Sequence, residues 1–154
     1  MGGATKVEDI RDEVIVAAPT SEVWDAIQDP TRHAQWHPAL RRIDGEHTLG
    51  TVRKCDVMAG KKPGSTEERC TTYDEGRKIM WTIEKDSTGF SRMASDWSSG
   101  FTLEPRGPDT TRVVARSVFN PSGLPARLML PLIRRKFHQT QLSILTGLKH
   151  HVEA

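Results

Sequence analysis

Residues 124–150, LPARLMLPLIRRKFHQTQLSILTGLKH, decide the fold. Set out at 100° per residue, Met129, Ile133, Phe137, Thr140, Ile144 and Leu148 fall in one stripe about 100° wide. Arg134, Arg135, His138, Gln139 and Lys149 take up the rest of the circumference. The pattern predicts one helix of about six or seven turns. Met129, Ile133, Phe137, Ile144 and Leu148 should be buried, and Arg134, Arg135 and Lys149 exposed. Pro131 marks a point where that helix can bend. A stripe of this length needs a broad apolar surface to lie against.

The preceding chain offers one, as a series of short β-like runs separated by turn signals. Residues 9–18 alternate in their second half and read as an edge or end strand. Pro19 suits the first turn of a helix, where its missing N–H costs nothing. Val23, Trp24 and Ile27 then give that helix an apolar face. Asp29-Pro30 stops it, because the residue before a proline is pushed out of the helical region. A second short helix over 31–36 has Trp36 as its only large apolar residue and ends at His37-Pro38.

Strands are predicted over 40–46, 51–58, 66–73, 78–85, 96–104 and 111–119. The stretch 60–65 reads as a turn, Glu75-Gly76 as the centre of a tight hairpin, and 86–94 as a mobile loop. The element order is β-α-α-β-β-β-β-β-β-α, an α+β chain read as a single domain over 1–154.

These turns set registers. The Glu75-Gly76 hairpin places Thr72 opposite Ile79, Cys70 opposite Trp81 and Glu68 opposite Ile83. A turn near Lys62-Pro63 places Cys55 opposite Cys70 and Val57 opposite Glu68. A last hairpin centred on Pro108 pairs Phe101 with Ala115, Ser99 with Ser117 and Trp97 with Phe119. By the period of two, these residues share one apolar face, and Glu67, Arg69, Thr71, Thr82 and Glu84 take the wet one. Arg53, Glu68, Thr72, Ser99 and Ser117 interrupt the apolar face. Buried charges are rare unless paired or wetted. Either the register slips locally, or a cavity with water or ligand lies between helix and sheet.

Composition narrows the function classes. The net charge of +2 is spread along the chain, without the clustered basic face of a nucleic-acid binder. No apolar run approaches the roughly 20 residues of a membrane span. MGGATKVEDIRDE has no apolar core of a signal peptide, so a cytoplasmic location is expected. Cys55 and Cys70 lack metal-ligand spacing and read as buried, reduced thiols on adjacent strands. The six histidines show no metal spacing, and no G-x-S-x-G, P-loop or G-x-G-x-x-G occurs. No metal and no cofactor is expected.

Val14 to Pro19, Ser21-Glu22-Val23-Trp24, Trp36 with Pro38, Gly50, Phe101-Thr102-Leu103-Glu104-Pro105 and Thr111-Arg112-Val113 together carry a resemblance. The chain resembles the START/Bet v 1 (SRPBCC) superfamily, and within it the polyketide cyclase/dehydrase-like group. The resemblance implies a helix-grip fold, a curved antiparallel sheet wrapped around the long C-terminal helix with an apolar cavity inside. It implies ligands that are lipids, polyketides or aromatics. It transfers no catalytic set, because the group's cyclases share no signature to carry over.

In a fold with a cavity, core and pocket wall are one surface. Trp36, Trp81, Trp97, Phe101 and Phe119 are therefore both core residues and candidate ligand contacts, joined by Met129, Ile133, Phe137 and Thr140 from the helix. Glu68, His37 and Arg53 are the titratable candidates for chemistry, although Arg53–Glu68 reads more readily as a structural ion pair than as an acid/base couple. The leading expectation is binding of a small hydrophobic molecule by a monomer or weak homodimer. A cyclase/dehydrase without cofactor is the alternative, and a chaperone-activator-like adaptor is a third.

Overall fold

The computed structural model describes residues 7–154, so the first six residues of the segment read as lacking a leader lie outside the described residues. Seven strands form one antiparallel sheet in the order β1-β7-β6-β5-β4-β3-β2. They are β1 (Glu8–Val16), β2 (Leu40–Asp44), β3 (Val52–Ala59), β4 (Lys62–Asp74), β5 (Lys78–Asp86), β6 (Ala94–Gly107) and β7 (Thr110–Pro121). From β2 onward each strand pairs with its successor. The helices α1 (Thr20–Gln28) and α2 (Pro30–Trp36) carry the chain from one edge, β1, to the other, β2. Asp29 both ends α1 and opens α2, accepting a 2.9 Å hydrogen bond from the Thr31 N–H.

The central hairpin agrees with the sequence reading at Cys70↔Trp81 and Glu68↔Ile83, but a bulge then shifts Thr72 to Met80 and Tyr73 to Ile79. The expected Thr72–Ile79 pairing is therefore absent. The β3–β4 turn sits at Gly60-Lys61, where Gly60 has φ +65°, and Pro63-Gly64 lie within β4. Cys55 consequently faces Thr66, Val57 faces Gly64 and Arg53 faces Glu68. The slip is even-numbered, so the side chains stay on the expected face. Cys55 and Cys70 are buried free thiols on adjacent strands, although not neighbours as expected. In the last hairpin Phe101↔Ala115 and Ser99↔Ser117 hold. A bulge between Ser95 and Ser98, with Asp96 at φ +50°, removes the Trp97–Phe119 pair.

The expected loop over 86–94 contains a 3-10 turn, Phe90–Arg92. Asp86 pins it by accepting from the backbone N–H groups of Thr88 and Ser91, both at 2.9 Å.

The C-terminal segment is two helices, α3 (Gly123–Leu128) and α4 (Leu130–Glu153). Pro131 lies in the first turn of α4, where a missing N–H is harmless, so the break falls at Met129. Met129 is exposed rather than buried. The buried stripe is Ile133, Phe137, Gln141, Leu145 and Leu148, rotated from the expected one by about 50°. Thr140 is exposed and Ile144 is partly buried.

Edge contacts fix α4 over the β1 side of the sheet. Arg134 is paired with Glu8 rather than free, His138 Nδ1–H donates to Asp12 at 2.8 Å, and Lys149 Nζ donates to the Ile15 carbonyl at 2.7 Å. The sheet face over β3–β5 is thereby left without direct helix cover. Two apolar clusters result. One, around Trp24, Trp36, Ile79, Trp81, Leu145 and Leu148, closes the α1–α2 end. The other, around Ile10, Phe119, Ile133 and Phe137, closes the α3 end.

Candidate functional site

Between the two clusters lies a cavity of about 320 Å³. The sheet supplies its floor through Arg53, Glu68, Trp81, Trp97, Ser99 and Phe101. Its roof is α4, through Lys136, Phe137, Thr140, Gln141 and Ile144. His33 and His37 stand at the α2 end, while Asp86, Thr88 and Phe90 stand at the other. The wall is mostly apolar with a few placed polar groups, which is the usual make-up of a small-molecule site.

The polar groups on β3 and β4 are satisfied among themselves. Arg53 Nε and Nη2 both donate to Glu68 Oε1, at 2.9 and 2.7 Å. Thr66 Oγ1 donates to Glu68 Oε2 at 2.7 Å, and the Arg53 guanidinium lies 3.8 Å above the Trp81 ring. Both oxygens of Glu68 are thus engaged, Oε1 in holding the buried Arg53 and Oε2 in accepting from Thr66. That arrangement suits a structural ion pair better than a general base.

Three histidines surround Arg53, and their bonding fixes their tautomers. A carbonyl oxygen only accepts, so the Nδ1 atoms of His33 and His47 both carry protons, donating to Ile27 O at 2.9 and 3.1 Å. His47 Nε2 then accepts from Arg53 Nη1 at 2.9 Å. His37 has the opposite tautomer, since its Nδ1 accepts from the backbone N–H groups of Ala39 and Leu40 at 3.1 and 3.2 Å. All three are neutral at ordinary pH. Burial, reinforced by the Arg53 charge, lowers His37 and His47 to about 3 and holds His33 well below 6.5.

This leaves His33 Nε2 as an acceptor and His37 Nε2–H as a donor, neither with a hydrogen-bond partner among the described residues. The two rings stack with centroids 5.5 Å apart. Trp81 and Trp97 each have a buried indole N–H without a partner. On the α4 side, Ser117 Oγ donates to Gln141 Oε1 at 2.7 Å, and Gln141 Nε2 donates to Asp12 at 2.8 Å. The two thiols have no place in this chemistry, because burial raises Cys55 to about 11 and raises Cys70 as well. Among the described residues no group of three His, Cys, Asp or Glu side chains is placed to hold a metal.

Of the residues expected to contact ligand, Trp81, Trp97, Phe101, Phe137 and Thr140 line the cavity. Trp36, Phe119 and Ile133 stand in the adjoining clusters instead, and the Trp36 indole N–H donates to Ala26 O at 2.8 Å. Met129 is away from the cavity, at the α3–α4 break. The candidates for chemistry, Glu68, His37 and Arg53, are all brought together on its wall. Sequence reasoning missed His33, His47 and Gln141. Gln141 was discoverable as a polar residue about 20° from Leu148 on the helix wheel, at the edge of the apolar stripe. The two histidines meet Arg53 only through tertiary packing and leave no local signal.

No curated protein matches the chain. Solved structures do, over nearly its whole length. The Zhui aromatase/cyclase from Streptomyces sp. R1128 superposes with a TM-score of 0.77 at 18% identity, over 96% of this chain and 94% of that one. A norcoclaurine synthase point mutant from Thalictrum flavum, in complex with a transition state analogue, gives 0.72 at 15%, over 98% and 97%. The major latex-like protein 151 of Panax ginseng gives 0.72 at 9%, over 96% and 99%. At these identities the likeness shows the fold alone, the helix-grip fold expected from the sequence. A family model matches residues 8–153, and the chain belongs to the family described as polyketide cyclase/dehydrase and lipid transport.

Proposed function

We propose that the protein binds a small, largely apolar molecule bearing hydrogen-bond acceptors in the cavity under α4. The two buried indole N–H groups of Trp81 and Trp97, on residues of the cavity wall and without partners, carry this reading. A buried donor left unpaired costs about 1–3 kcal/mol, so such groups imply a water or a ligand oxygen as partner. Burial of the ligand's apolar body against Phe101, Phe137 and Trp97 supplies the affinity, and the indoles and His37 orient it. Lipids, polyketides and aromatics with carbonyl or phenolic oxygens meet this description. The family and the structural likeness support a ligand-binding or cyclase role.

The test is displacement of an apolar fluorophore from the full chain by a panel of such molecules. Phe101→Ala, which removes a large wall contact, should weaken binding about tenfold or more. Failure of every panel member to displace the probe, or full affinity in Phe101→Ala, would overturn the proposal.

A cyclase/dehydrase reading is favoured by one observation, the unpartnered acceptor on His33 beside the unpartnered donor on His37. His33 Nε2 can take a proton from an activated carbon while the neutral His37 Nε2–H polarises the carbonyl oxygen by hydrogen bonding, and the protonated His33 then returns that proton to the oxygen. On that reading His33→Gln and His37→Gln keep probe affinity and lose conversion of a poly-keto substrate. Conversion that survives both substitutions removes the reading.

A further inference from the structure

Among the described residues eight large apolar side chains are exposed, and four of them lie within nine consecutive residues at the α3–α4 break. Leu124 is 68% exposed, Leu128 74%, Met129 45% and Leu132 62%. Exposed apolar groups crowded in this way mark an interaction surface.

The charges on the segment that carries them have one sign, while Glu8 and Asp12 of β1 reach it and pair with Arg134 and His138. Between Asp109 and Glu153 the chain contains no Asp or Glu. Arg127, Arg135 and Lys136 are exposed and make no ion pair among the described residues, while the partly exposed Arg134 is paired with Glu8. Arg127, Arg134, Arg135 and His138 rim an open groove floored by Leu130, Pro131 and Leu142. Leucines projecting beside unpaired cations complement an apolar layer topped by anions, as in an interfacial amphipathic helix. A protein partner would need acidic groups interleaved with its own apolar ones. A bilayer with anionic headgroups supplies both layers at the required depth.

We propose that the α3–α4 break docks the protein onto anionic lipid bilayers. Leu124, Leu128 and Leu132 enter the acyl boundary, and Arg127, Arg135 and Lys136 meet headgroup phosphates. Lys136 and Phe137, which follow within two turns, are also roof residues of the cavity, so docking sets the cavity beside the membrane. Docking itself does not depend on the cavity reading and is measurable with no ligand added.

The experiment is co-sedimentation of the full chain with phosphatidylcholine vesicles, with and without about 30% phosphatidylserine. Wild type should pellet with the anionic vesicles only, and release as salt rises. Leu128→Asp with Leu132→Asp should abolish pelleting. Arg127→Gln with Arg135→Gln should weaken it about 30-fold, at about fivefold per cation. All four positions avoid the core, and unchanged melting temperatures confirm that each variant is folded. Wild type staying in the supernatant, or pelleting equally with both vesicles, overturns the proposal. So does release by inorganic phosphate at constant ionic strength, which would indicate a soluble-anion site. A wild-type dimer that the leucine variant makes monomeric, without vesicle binding, would assign the surface to a second copy instead.

Discussion

Replacing Glu68 by glutamine tests whether the ion pair on the cavity floor is structural. The substitution keeps the shape and one acceptor oxygen for Arg53, whose Nε and Nη2 both bond a single oxygen, Glu68 Oε1. Thr66 Oγ1 can turn to accept from the new amide. Hydrogen bonds are therefore largely retained, and the change isolates loss of the countercharge. Breaking a buried pair costs about 3–5 kcal/mol, and retention of the bonds puts Glu68→Gln near about 3. For a chain of this length that lowers the melting temperature by about 6–12 °C. Arg53→Met with Glu68→Leu removes both charges and should recover most of the loss. Thermal melts of Arg53→Met, Glu68→Leu and the double close the cycle, and probe affinity is read on each variant at a temperature where it is folded. A melting temperature for Glu68→Gln within about 1 °C of wild type would refute the reasoning. Unchanged stability with lost conversion of a poly-keto substrate would place Glu68 in catalysis.

Acid should destabilise the fold through its neutral histidines. The folded values of His33, His37 and His47 lie below 6.5, so between there and their folded values the unfolded chain binds more protons. Stability is then full above about pH 6.5 and falls as pH drops, by up to about 1.4 kcal/mol per unit for each histidine; melts from neutral to mildly acidic pH should show it, and a flat profile would contradict it. Gly147→Ala should destabilise by about 1–3 kcal/mol in denaturant titration. Its methyl would stand 2.3 Å from the Trp36 carbonyl oxygen, where α4 passes the end of α2.

Much of the fold was legible because its signals are local. Glu75-Gly76 and the alternation beside it gave Cys70↔Trp81, and Asp29-Pro30 separated α1 from α2. The β3–β4 register went wrong because Pro63-Gly64 is a strong turn signal, yet Gly60 makes the turn. An even slip preserved the face, so Arg53 and Glu68 were still read as inward charges. On α4 the wheel favoured Thr140 over Gln141, because a buried glutamine is explained only by Asp12 and Ser117 across the packing. The tautomers of His33 and His37 depend on Ile27 O and on the backbone after α2. No spacing encodes them.

The most direct test of ligand binding in the cavity is the indole region of a proton–nitrogen spectrum, assigned by single Trp→Phe substitutions. Titration with an acceptor-bearing apolar molecule should move the Nε1–H resonances of Trp81 and Trp97 downfield as their orphaned donors are paired. Trp36, already bonded to Ala26 O, should stay in place and serve as the internal control. Saturable shifts confined to Trp81 and Trp97 are the predicted result. A ligand that binds while those two resonances stay fixed, or a panel that moves neither, would contradict the account.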